Sequence, residues 1–322
     1  MNNQYSKDIE FKGIILDDDI AQDDSIWGVV LSTKQSVNQV QDFGDIKELV
    51  IKIIESLPPL PETISKIESL KLSEDRDLFK LLAIIQWDPK DPKNVWDPMI
   101  AVNILKVANS AMYWYWWRIK TVKDALLMLG FNMISNIAIS TSLNSVLKPD
   151  LEPYSIDIDT FLSKSSIQSR LIEKWDEKAI RAIKHELTSA SFMQEIGKIV
   201  VSIVLKEKWL IDKFKWLVNE LKQLDEAEEK AISQTSAVVT AIVFSQWRFN
   251  DYMIKLIENS DKPENAPEDL SSWAYALKIV KTLAPIGWDN FSQEALDRAF
   301  LFADKAWFDP SSLQKAIYNV DK

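Results

Sequence analysis

From residue 46 onward, apolar positions recur at spacings of three and four, the signature of helices burying one face. Ile46, Leu49, Val50, Ile53, Ile54 and Leu57 share such a face, and Pro58 with Pro59 ends the helix they predict. Pro61 followed by Glu62 suits the first turn of the next helix, where a missing N–H costs little and a carboxylate meets the positive end of the dipole. Ile64, Ile67 and Leu70 continue as its inward face. Leu78, Phe79, Leu81, Leu82 and Ile85 mark another helix, and 86–98, with Pro89, Pro92 and Pro98, reads as a loop. Residues 99–111 predict a helix with Ile100, Ile104, Leu105 and Ala108 inward, joined by a connection over 113–118 to one that Thr121 caps. Asp124, three residues on, approximates a capping box.

Beyond the break at Lys148, Pro149, Asp150 and Pro153, helical composition resumes over 161–175, 179–205, 210–227, 235–246 and 251–258. A polar loop at 261–269, with Pro263 and Pro267, precedes helices over 270–283, 292–305 and 311–318. Strand alternation is absent and no fixed-period repeat is visible, so the expected architecture is all-α, a multi-helix bundle. Residues 1–44 carry Asp17, Asp18, Asp19, Asp23 and Asp24 but no sustained periodicity, and read as an arm or partly ordered extension. The main domain is expected over 45–260, either continuous or with an internal junction near 148–155, and 261–322 as C-terminal helices packed on it. Residues 125–147 lack any charge and could cross a bilayer by length. Asn132, Ser135, Asn136, Ser140, Thr141, Ser142, Asn144 and Ser145 would need partners there, so a buried helix is expected and no membrane.

Lys and Arg total 38 against 48 Asp and Glu, a net charge of -10, and no basic patch interrupts it. A phosphate backbone would be repelled, so no nucleic-acid partner is expected. The chain has no cysteine, which removes disulfides, thiolate metal sites and Cys nucleophiles together and suits a reducing compartment. The opening MNNQYSKDIEF lacks a basic and apolar signal pattern, and a cytoplasmic location is expected.

Four stretches resemble one family. These are 57–62 (LPPLPE), 107–113 (VANSAMY) with 125–130 (ALLMLG), 193–198 (MQEIGK), and more weakly 236–247, where a serine begins a helix that leads to Trp247. Together they are similar to the HDOD domains, with Pro58, Pro61, Asn109, Ser110, Gly130 and Gly197 as the motif positions. The resemblance implies an all-helical domain related to HD hydrolases but without their metal site, associated with bacterial signal transduction. Two departures stand out: the insertion over 86–96, and tryptophans after Tyr113 where the family has glycine.

In metal-dependent HD phosphohydrolases the helix corresponding to 191–199 carries His and Asp side by side, where this chain has Gln194 and Glu195. An amide is a poor substitute for a neutral imidazole toward a borderline divalent metal. The chain has one histidine, His185, which also removes a Ser-His-Asp triad and a four-helix di-iron site. No metal, no cofactor and no catalysis are expected. Simpler roles suit the singled-out residues: His185 as a helix residue bonded to a neighbour, Glu195 paired with Lys198 at i+3, and Asn109 and Ser110 bonding backbone at a helix end.

The chain has 13 Trp and only 6 Gly, whereas average usage predicts about 22 Gly. Trp307 sits where a helix would end on glycine, Trp175 and Trp209 each follow Glu-Lys at a helix end, and Trp87 and Trp96 precede Asp-Pro. One reading is that Trp114, Trp116, Trp117 and Trp307 are glycines, encoded by UGA in an organism that reads that codon as Gly; Trp247 is then genuine. The other is an exposed aromatic patch over 113–117. Positive φ is the structural mark of the first. The function expected is that of a non-catalytic regulatory protein binding a protein or small-molecule partner. The alternatives are a metal-dependent HD-type phosphohydrolase and a purely structural helical adaptor.

Overall fold

A computed structural model describes residues 36–57, 66–67, 80–81, 98–109, 119–147 and 150–320, with side chains from residue 45, and from 100 and through 142 within their segments. Pro58, Pro61, Ser110, Trp114, Trp116 and Trp117 lie outside the described residues. All regular structure among those described is helical. Helix α1 (Ser36–Glu55) begins inside the stretch read as an arm, and its Ile46, Val50 and Ile54 are buried. Helix α2 (Pro98–Ala108) packs along α3 (Val122–Leu147). The start of α3 is fixed by a capping pair: Asp124 N–H donates to Thr121 Oγ1 at 3.0 Å, and the Thr121 hydroxyl to Asp124 Oδ2 at 2.6 Å.

The uncharged run over 125–147 is not one straight helix. Gly130 adopts φ 76°, ψ 171° inside α3 and kinks it, a conformation open to glycine because it has no Cβ. Two stretches, 122–142 and Lys184–Glu207, are long and apolar enough to cross a membrane, yet 72% and 94% of their apolar windows are buried within the protein.

In the second half, α4 (Ile158–Lys174) is capped by Asp157, which accepts from Thr160 N–H. It packs on α6 (Lys184–Met193) and on α12 (Glu268–Leu283). The single helix expected over 179–205 is three: α5 (Lys178–Ala182), α6, and α7 (Gly197–Glu207). Ile183, at φ -134°, interrupts the first junction, and residues 194–196 form a turn at the second. Likewise 210–227 divides into α8 (Ile211–Leu221) and α9 (Leu224–Ile232), because Lys222 takes φ 53° and ends the first. Helices α10 (Ser236–Gln246), α11 (Asp251–Glu258), α13 (Gln293–Lys305) and α14 (Pro310–Asn319) lie within a residue of the predicted spans. Helix α12 packs against α4, α6 and α13, and α14 against α4.

Three helices end in the same way. At α7, Trp209 N–H donates to Lys206 C=O and Leu210 N–H to Leu205 C=O; at α13, Trp307 N–H reaches Asp304 C=O and Phe308 N–H reaches Ala303 C=O. Arg248 and Phe249 repeat the pattern after α10. These are Schellman caps, whose central residue is left-handed. Trp209, Arg248 and Trp307 have φ of 56°, 59° and 58°. Trp209 and Trp307 are 92% and 94% exposed. Trp175 is different, and its likeness to a glycine position is corrected. It has φ -81°, is fully buried, donates from Nε1 to Ser312 Oγ at 2.9 Å and meets Phe308 edge-on. Trp247 is also buried, at φ -85°.

Candidate functional site

The turn between α6 and α7 carries Gln194 and Glu195 into the interior, where both are fully buried. Gly197 allows this, because a Cβ there would stand 2.2 Å from the Ser236 carbonyl oxygen. Its N–H donates to Thr240 Oγ1 at 2.8 Å, and the Thr240 hydroxyl reaches Gln194 C=O at 3.0 Å. The start of α7 is thereby laid directly on α10.

Around this turn, segments far apart in sequence contribute ionic groups. Lys198 Nζ donates to Glu228 Oε1 of α9 at 2.6 Å and to Ser236 Oγ at 2.8 Å, and lies 3.0 Å from Glu195 Oε2. The second oxygen of Glu228 accepts from Ser236 N–H at 2.6 Å, and Tyr154 O–H donates to Oε1 at 2.7 Å. Lys281 of α12 lies 2.5 Å from Asp261 Oδ1 and 3.5 Å from Glu195 Oε2. Gln168 of α4 links the amides: Gln194 Nε2 donates to its Oε1 at 2.9 Å, while its own Nε2 donates to Ala284 C=O at 2.9 Å and Glu195 Oε1 at 3.4 Å. The expected Glu195–Lys198 pair is therefore present, but as part of a buried network across a turn rather than as a pair along one helix. A cleft of about 310 Å³ reaches Glu195 and Lys281, with Lys278, Asp225, Arg298 and Phe302 among its walls.

Burial alone would neutralise these groups. For Lys198 and Lys281, burial pulls the ammonium pKa down, but the neighbouring carboxylates outweigh it and both are raised above the ordinary lysine value. For Asp261, burial pushes up, while Lys281, Lys278 and Lys198 hold the carboxyl well below the ordinary aspartate range. Burial, and then the Glu228 charge, push Tyr154 well above a normal phenol. Charged lysines and a charged Asp261 thus persist through neutral pH.

The donor set does not fit a metal of the HD type. Two of its positions are amides, and two ammonium groups lie among its carboxylates. Among the described residues, no group of three or more His, Asp or Glu is arranged to hold a metal ion. His185 is remote from the cluster in role: its Nδ1 lies 2.9 Å from Asn132 Nδ2 in an exposed contact.

Asn109 closes the end of α2. Its Nδ2 donates to Leu105 C=O at 2.8 Å and Ile119 C=O at 2.9 Å, and its Oδ1 accepts from Ile119 N–H at 2.9 Å. These bonds tie 109 to 119 across the connection. Gln168, Glu228, Asp261 and Lys281 were not singled out by sequence, although one signal was available. Lys198 and Lys281 each sit among apolar helix neighbours, Ile196 to Leu205 and Ile279 to Leu283, whereas Glu228 lies in the charged run 225–230 and carries no such sign.

The model of the HDOD domain matches residues 57–263. The chain belongs to the HDOD domain family. Solved structures of similar fold include a virulence factor from Campylobacter jejuni subsp. jejuni, at 25% identity and TM-score 0.51, covering 86% of this chain and 96% of that one. An HDOD domain protein of unknown function from Geobacter sulfurreducens has 14% identity and TM-score 0.57 over 85% and 95%. A chain from Marinobacter aquaeolei VT8, named provisionally as a signal transduction protein, has 18% identity and TM-score 0.58 over 87% of this chain and 64% of its own. No curated protein matches the chain. Within the HDOD domain, Gln194 and Glu195 lie at the heart of the buried network, Gly197 shapes the backbone beside it, Gly130 kinks α3, and Asn109 ties the end of α2 to Ile119 ahead of α3.

Proposed function

We propose that this HDOD protein is a non-catalytic regulator in bacterial signal transduction, acting in the cytoplasm by binding a protein or small-molecule partner. The observation that carries the reading is the filling of the carboxylate cluster: Lys198 and Lys281 form ion pairs with Glu195, Glu228 and Asp261. No imidazole stands among them to hold a metal or to shuttle a proton at neutral pH. Family membership and the name given to the Marinobacter chain favour signalling over a purely structural adaptor. With no catalytic group at its centre, the domain's remaining route to an effect is recognition. Gene deletion with transcript profiling tests the regulatory role. An altered response, restored by the intact gene, is expected; an unchanged profile across growth and stress conditions would overturn it in favour of an inert adaptor.

A further inference from the structure

We propose that Lys198 and Lys281 are the resident cations of this cluster and keep divalent metal out of it, so that removing Lys281 opens a site for a hard cation such as Mn2+. Three buried carboxylates share the two lysines in pairs, Glu195 and Glu228 through Lys198, and Glu195 and Asp261 through Lys281. Such groups need positive charge close by, because water cannot reach them. A metal bridging Glu195 and Asp261 would occupy the place of the Lys281 ammonium, which lies between their oxygens at 3.5 and 2.5 Å. Lys198 fills the corresponding position between Glu195 and Glu228.

The two lysines differ in access. Lys198 is sealed in the core, whereas Lys281 lines the cleft. Trimming Lys281 would leave Glu195 and Asp261 facing a path to solvent. Glu195 Oε2, buried and without a hydrogen-bond partner, is the oxygen that faces both lysines. Oxygen-only donors select hard cations over zinc or copper. This deepens the reading of a non-catalytic site without depending on any partner.

The test is Mn2+ bound per chain after dialysis, with the thermal midpoint read with and without Mn2+. Wild type is expected to retain no stoichiometric Mn2+ and show no shift. Lys281→Ala is expected to bind Mn2+ at least about tenfold more tightly, with a lowered midpoint that Mn2+ restores. If this variant does not fold alone, refolding in Mn2+ should recover its helical circular dichroism. Lys281→Ala with Asp261→Asn should lose about tenfold of the gained affinity. Stoichiometric Mn2+ in wild type would overturn the proposal. So would a Lys281→Ala chain that Mn2+ neither binds nor rescues, or a double variant that binds as tightly as the single. No turnover is read here, so this result and the test of catalysis can fail separately.

The helix caps carry a second inference independently. We infer that positions 209 and 307 are glycine in the cell that makes this protein, inserted at UGA codons. Both side chains stand at the C′ position of a Schellman cap with φ near +57°, and both rings are over nine-tenths exposed. Arg248 occupies a third such position, so the conformation alone does not demand glycine. What separates the tryptophans is a large ring left in water, in a chain with 6 glycines. Peptide mass spectrometry of protein from native cells should find Gly at 209 and 307, with Trp at 175 and 247. UGG codons at 209 and 307, or Trp in those peptides, would overturn it.

Discussion

The Lys198 ammonium lies 2.6 Å from the Glu228 carboxylate, and neither side chain is exposed. Removing one partner of such a pair leaves an uncompensated buried charge, at a cost of about 3–5 kcal/mol. Lys198→Met is predicted to lower the free energy of unfolding by that amount in urea. Adding Glu228→Gln should recover a large part of it, since two neutral groups of similar size no longer demand a counter-ion.

Asp261 has a defined pH signature. Its folded pKa is depressed, so its contribution is present above the unfolded value of about 3.9 and is lost as pH falls through the folded value. Wild type should exceed Asp261→Asn in stability at pH 7, and the gap should narrow steadily on acidification below pH about 4. A gap that stays constant to pH 2 would contradict the ion-pair account.

Gly197→Ala is predicted to destabilise, because the new Cβ would fall 2.2 Å from the Ser236 carbonyl oxygen and α7 must move off α10. Overpacking of this kind costs about 1–3 kcal/mol, readable as a lower denaturation midpoint. The shift also passes through Thr240, so the amides of 194–198 should exchange faster with solvent.

Trp307→Gly and Trp209→Gly should each stabilise by about 0.5–1 kcal/mol. Relief of the left-handed conformation exceeds the entropy glycine adds to the unfolded chain. Trp175→Gly should do the opposite and cost about 3–5 kcal/mol, since it empties a core position and removes the Nε1 bond to Ser312. Thermal unfolding of the three variants distinguishes the two classes of tryptophan.

Much of the helical order was legible because the 3.6-residue period and the capping residues act locally. Thr121 with Asp124, and Pro310 opening α14, are examples. The breaks were not: Lys222 and Ile183 carry no Gly or Pro signal, yet Lys222 takes a left-handed φ of 53° that a lysine does not announce. At the site, Gln194 and Glu195 stood out by comparison with a motif. Gln168, Glu228, Asp261 and Lys281 did not, because their meeting depends on how α4, α9, the loop before Pro263 and α12 fold together. For Lys198 and Lys281 a charge inside an apolar helical run was the available sign, and Lys281 gains its meaning only from partners 20 and 86 positions away.

The most direct measurement is hydrolysis of a phosphodiester by the purified wild-type chain supplied with Mn2+, with bound metal counted in the same sample. The account predicts no turnover above the rate with metal alone and no stoichiometric metal. Turnover that accompanies stoichiometric metal and disappears in Glu195→Gln would contradict it.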